Sequence, residues 1–280
     1  MKDLIVVICR ILTATVLFIG TASTQAALLD SIDKGFDAYC EGDFTLARRI
    51  VKKHLDQPWG RFVFYICQIH DTRNQNIAEG LTGLKKLFDD ETLDKEIRAE
   101  AGMAYARVIQ IFQIRKQYLE YDNVQVESLF RNIIKLAPRS KTATFAAVYI
   151  AESLFTKYLK NSDGEAAKQA FAFIEDFLAS YEGPTENTVL VHLYLETFYI
   201  EVFRDYGRSV EHLKKAYELG ITNETEKRRI LFRLGRIYDA RLHDTTTAKA
   251  YYEEFLKLYP YAFEAFVIEG YLNELNEHNK

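Results

Sequence analysis

Three arginines in the stretch "TEKRRILFRLGRIYDARL", residues 225 to 242, are the side chains with most chemical potential in this chain. At about 100° per residue, Arg229, Arg233 and Arg236 fall within one stripe of roughly 60°, on a different side of the helix from Ile230, Leu234 and Ile237. Planar guanidinium forks aligned in this way suit carboxylates, so the expected partner is a protein or peptide segment with acidic groups. The stripe has a second reading, as a solvated surface whose charges pair with Glu201, Glu253 and Glu254 of neighbouring helices. One helix upstream, Tyr194 and Glu201 are expected to face the same surface as the arginines.

Enzymatic patterns are missing from the sequence. There is no G-x-S-x-G elbow, no H-E-x-x-H, no glycine-rich phosphate loop and no C-x-x-C. The six histidines, at 54, 70, 192, 212, 243 and 278, never stand three or four residues apart, the spacing that puts two metal ligands on one helix face. His192 and Glu196 are one turn apart and could pair with each other at a surface or helix edge. The expectation is therefore a non-enzymatic protein without a cofactor or metal.

The elements that must position these residues are helices. Only 4 Pro and 13 Gly are available to punctuate the chain, too few for the turns of an all-β protein. The 18 Tyr and 19 Phe, against a single Trp, are expected to fill gaps between stacked helices. The helical segments also repeat. Val191, Leu195, Phe198 and Tyr199 correspond to Ile230, Leu234, Ile237 and Tyr238, and Asp205 corresponds to Asp244, all at a step of 39 residues. On the following helix Ser209, Leu213 and Ala216 match Ala248, Tyr252 and Phe255, and one step earlier Ala170, Ile174 and Phe177.

Earlier units follow the pattern more loosely, through Val126, Phe130, Ile133 and Pro138, and through Gly80, Leu84 and Leu87. The first carries "YCEGDFTLARRIV", with Gly42 and Asp43 at a turn and Ala47 opening a second helix. With Leu231, Leu234, Gly235 and Tyr238 on the last first-helix, the chain resembles the tetratricopeptide repeat family. The units are longer than that family's 34 residues, which leaves other helical-hairpin solenoids open. The resemblance implies an all-α, right-handed superhelix of about six antiparallel hairpins over residues 27–280, each burying its apolar face on the next. It also implies that first-helix residues, the arginines among them, line the concave surface. The family's carboxylate clamp is not reproduced, since Phe232 stands where a clamp lysine would be wanted.

First helices are expected near 28–40, 59–71, 93–117, 140–160, 186–204 and 224–242. Second helices are expected near 44–55, 77–88, 124–136, 164–181, 207–219 and 246–258. A last helix near 262–277 would shield the final hairpin and disfavour head-to-tail stacking. Asn223, with Glu226 three residues on, is the expected N-cap of the 224–242 helix, and Pro260 the expected stop for the helix before it.

Residues 1–26 read differently. Lys2 and Arg10 precede an uncharged apolar run, and Thr24-Gln25-Ala26 suits cleavage of a signal peptide after Ala26. Export to the periplasm or the extracellular space follows, with an uncleaved membrane tether as the alternative. The formal net charge of −4, one unit more negative once Lys2, Asp3 and Arg10 leave, argues against nucleic acid as a partner. Cys40 and Cys67 lie on first helices of successive units at different heights and are expected to stay unpaired. The functional expectation is an exported scaffold or adaptor in the cell envelope. The alternative is a glycan- or small-molecule-binding protein, or an enzyme, on a helical solenoid.

Overall fold

The computed structural model describes residues 23–70, 74–115, 124–161, 164–221 and 223–278. Over those residues the chain is all-α, with 13 α-helices and no strand. They are α1 (Ser23–Cys40), α2 (Phe44–Val51), α3 (Pro58–Ile69), α4 (Asn74–Asp89), α5 (Lys95–Arg115), α6 (Val126–Leu136) and α7 (Lys141–Asn161). Then come α8 (Gly164–Ser180), α9 (Val189–Phe198), α10 (Tyr206–Glu218), α11 (Glu224–Ala240), α12 (Thr245–Leu258) and α13 (Phe263–His278). Each expected helix is present. The stretch 1–22, most of the expected signal segment, lies outside the described residues, and the Ala26–Ala27 bond falls inside α1.

The helices gather into two compact units that divide inside α7, one ending at Ala146 and the other beginning at Ala147. In the first, α1 packs on α2, α3 on α4 and α5 on α6, while α2 meets α3 and α4 meets α5. The helices α5 and α6 thus continue the hairpin pattern. In the second, α9 packs on α10, α11 on α12, α10 on α11 and α13 on α12. This succession of hairpins makes the chain a helical repeat of solenoid-like construction.

The repeat register read from the sequence is the register of burial. Val191, Leu195 and Phe198 are buried, as are Ile230, Leu234 and Ile237 at the equivalent positions. On the second helices Ser209, Leu213 and Ala216, then Ala248, Tyr252 and Phe255, are all sealed from solvent. Gly235 explains one close approach: a Cβ there would stand 2.3 Å from the Tyr252 ring, so only glycine lets α11 lie against that ring.

One turn geometry recurs between first and second helices. Asp43, Asp205 and Asp244 each cap the next helix, accepting a hydrogen bond from the backbone N–H three residues on, at Leu46, Arg208 and Thr247. Each aspartate follows a residue in the left-handed region: Gly42 (φ 85°), Arg204 (φ 56°) and His243 (φ 55°). The chain must reverse within two residues, and this pair of conformations does it. Asn223 caps α11 from its side chain to the Glu226 N–H, as the sequence suggests.

Two expected helices differ in detail. The segment 44–55 is α-helical only to Val51, and Lys52–His54 tightens into a 3-10 turn. The segment 186–204 is a 3-10 turn at Thr185–Thr188, then α9, then a π-helical turn at Tyr199–Phe203. The Arg204 N–H, turned by its left-handed backbone, donates to the Tyr199 carbonyl and closes the wide turn.

Candidate functional site

In the C-terminal unit the first helices α9, α11 and α13 are linked by side chains. Arg233 of α11 forms an ion pair with Glu196 of α9. On the other side of α11, Arg228 meets Glu264 of α13 at 3.5 Å, and Arg236 lies over the Tyr271 ring at 4.5 Å. Arg229 is exposed and makes an i,i+3 contact to Glu226 at 3.5 Å. The three arginines of the stripe therefore have three different environments.

Glu196 is the unusual member. Its side chain is 0% exposed, whereas that of Arg233 is 41% exposed. Burial pushes its carboxyl above the ordinary range, opposed first by the Arg233 charge and hydrogen bond and then more weakly by the Ser209 and Thr197 hydroxyls. Its Oε2 has no partner in hydrogen-bonding geometry. The repeat shows why it lies so deep: Glu196 occupies the position that Gly235 holds one unit later, and Ser209 the position of Ala248.

His192 does not pair with Glu196, contrary to the spacing argument. Its Nδ1 lies 2.9 Å from Nδ1 of His212 on α10. Tyr199 stacks on the His212 ring at 5.3 Å and donates its hydroxyl to Glu175 at 2.9 Å. Arg208 reaches the same hydroxyl at 3.4 Å. Burial pushes the His192 imidazole down to about 4, helped by His212 and Lys215, and burial also lowers His212. Two neutral imidazoles that share one hydrogen bond have no free nitrogen pair aimed at a common ligand. Among the described residues no group of three or more His, Cys, Asp or Glu could hold a metal ion.

Tyr194 and Glu201 do not join the arginines in the way the sequence suggests. The Tyr194 ring packs edge-on against Phe198, and its hydroxyl is buried without a hydrogen-bond partner. Burial raises its pKa, with the Glu152 charge adding to the effect. Glu201 is exposed, but it stands in the π-helical turn, where 100° per residue no longer predicts its direction. Of the acidic residues expected to neutralise the arginines, Glu253 pairs with Lys249 at 4.0 Å and Glu254 accepts from the Tyr217 hydroxyl at 2.9 Å.

The His192–His212 contact joins two residues that the search for i,i+3 and i,i+4 pairs could not connect. The repeat held the signal, because their equivalents Leu231 and Tyr251 pack in one apolar cluster of the next hairpin. Cys40 and Cys67 are free thiols, with burial pushing them up to about 11 and about 12. No described helix is long and apolar enough to cross a membrane.

The fold and this network define an all-helical repeat protein with a polar seam between its C-terminal first helices. No model of a known protein family matches the chain, and no curated protein matches it.

Proposed function

We propose that the chain is an exported, non-enzymatic scaffold of the tetratricopeptide type that binds a protein segment along α9, α11 and α13. The family reading is supported by the aspartate-capped turn at one repeat spacing and by Gly235 beneath Tyr252. The uncharged apolar run that follows Lys2 and Arg10, with Thr24-Gln25-Ala26 after it, supports export. The observation that carries the binding reading is the arginine stripe on a first helix, with Arg229 exposed and Arg236 seated on an aromatic ring that fixes its direction. A guanidinium already oriented loses less freedom on meeting a carboxylate.

The test compares cross-linked capture from the native host by wild type and by an Arg229→Glu, Arg236→Glu double variant. Arg233 is left in place, because its reversal would set a second carboxylate beside the buried Glu196 and unfold the unit. With matched circular dichroism, the expected result is loss of one specific acidic partner from the double variant. Capture of the same set by both proteins would sink the reading.

A further inference from the structure

The antiparallel helices α1, α2 and α3 gather their ends in two groups. At one end the Tyr39 hydroxyl meets His70 Nε2 at 3.1 Å, and the Phe44 ring stacks on His70. At the other end His54 Nε2 lies 2.9 Å from the Ser31 hydroxyl. There the chain also passes close to itself, since a Cβ on Gly60 would stand 2.1 Å from the His54 carbonyl oxygen. This second end therefore joins the last turn of α2, the start of α3 and the N-terminal part of α1. Ser23, where α1 begins, precedes Ser31 by about 12 Å of helix.

That end is basic in a chain whose formal net charge is −4. Between Phe44 and Leu55 stand Arg48, Arg49, Lys52 and Lys53, with no acidic residue among them. The other second helices each carry at least one, such as Glu79 of α4, Glu127 of α6, Glu165 of α8, Glu211 of α10 and Glu253 of α12. The helix dipole favours a cation in a last turn, but it does not account for the loss of every acidic residue. Arg49, Lys52 and Lys53 are exposed, on the side away from the buried Ala47 and Val51, and form no ion pair among the described residues. Asp56, the next acidic residue along the chain, accepts from the Gln57 amide at 2.9 Å. Trp59, the single tryptophan of the chain, lies at the same end, half-buried with its ring edge-on to Phe62 at 5.7 Å.

We infer that this basic end of the first unit docks on an anionic lipid bilayer, with Arg49, Lys52 and Lys53 against the headgroups and Trp59 at the boundary between headgroups and acyl chains. Two observations select that occupant. The exposed cations complement an anionic surface, and tryptophan, apolar in body with one polar N–H, suits the boundary beneath it. The sequence before α1 also supplies the uncharged apolar run of residues 11–20, so a bilayer that holds this run, in export or as a tether, lies on the side of α1's first turn. Each lysine or arginine near such a surface contributes about fivefold in partition, so three give on the order of 100-fold. The attraction is reversible and screened by salt. It uses no residue of α9, α11 or α13, so this inference and the proposed segment binding can fail separately.

Vesicle co-flotation of the full chain tests this, comparing phosphatidylcholine alone with phosphatidylcholine containing about 30% phosphatidylglycerol. The apolar run can enter both kinds of vesicle, so the readout is the ratio between them. Wild type is expected to favour the anionic vesicles on the order of 100-fold at low ionic strength, and to lose most of that preference in about 0.5 M salt. Emission from Trp59 should shift to the blue on binding. An Arg49→Gln, Lys52→Gln, Lys53→Gln variant should keep the circular dichroism of wild type and lose at least about tenfold of the ratio. A Lys135→Gln, Lys168→Gln, Lys257→Gln control makes the same charge change at exposed positions of α6, α8 and α12 and should keep it. Equal binding of wild type to the two vesicles overturns the proposal, as does Trp59 emission that stays fixed on binding. So does a first variant that retains the wild-type ratio, or a control that loses as much, because the preference would then belong to Lys2 and Arg10 or to net charge.

Discussion

Glu196 and Arg233 share an ion pair but not an environment, and the difference decides what each substitution does. Arg233→Ala abandons a carboxylate that has no route to solvent, and should cost toward the low end of the roughly 3–5 kcal/mol typical of a broken buried pair. Glu196→Met removes the buried charge while filling its space and leaves a half-exposed guanidinium that solvent can hold. That variant should lie within about 1 kcal/mol of wild type. Urea midpoints of the two variants check the asymmetry, and equal losses would contradict the burial seen for Glu196. The pair also shows where sequence reading stops. Arginine spacing was legible from the 3.6-residue period, but the depth of Glu196 depends on its standing in a slot that is glycine in the next hairpin.

At the level of elements, the turns before α10 and α12 combine a stabilising and a costly feature. The aspartate satisfies an orphan N–H, so Asp244→Ala should lose about 1 kcal/mol. The residue before it is held at positive φ, which costs a non-glycine residue roughly 1–2 kcal/mol. His243→Gly should therefore raise the urea midpoint, by less than that range because glycine also loosens the unfolded chain. A lower midpoint would mean that the His243 side chain gives more than its backbone costs. Helix existence, the Asn223 cap and the buried stripes were readable because apolar periodicity and capping chemistry act locally. The π-helical turn at Tyr199–Phe203 was not, and the left-handed Arg204 that ends it is no signal for it, since His243 is left-handed at the equivalent position with no such turn before it. The His192–His212 contact was invisible for another reason: it joins two helices, and single-helix spacing contains no such information.

Across the molecule, the two units should answer pH in opposite directions. Burial holds His192 down to about 4 when folded, below its ordinary 6.5, so its contribution to the C-terminal unit is lost as pH falls between those values, with the raised Glu196 carboxyl opposing it. His212 and Lys215 act on His192, and Glu175, Glu211, Arg208 and Tyr199 surround His212 in turn. In the first unit Glu100 is buried, accepts a hydrogen bond from Thr142, and is pushed up to about 7 chiefly by burial. Its contribution is present below about 4.5 and is lost as pH rises to 7, an effect on the order of 2 to 3 kcal/mol. Hydrogen exchange at pH 5 against pH 7 should show weaker protection in α9 and α10 and stronger protection in α5, with Glu100→Gln abolishing the second change. A shift of both units in the same direction would refute this assignment.

The pairing across α9 and α11 also limits how the array can grow. Copying residues 190–228 in tandem would place Tyr194 of the second copy where Arg233 now stands, and strand the first Glu196 without a cation. Copying residues 229–267 keeps Glu196 beside an arginine and sets the extra arginine against Gly235, at a half-exposed position. The units look interchangeable in their apolar register, yet only the junction after Glu196's partner is open to insertion.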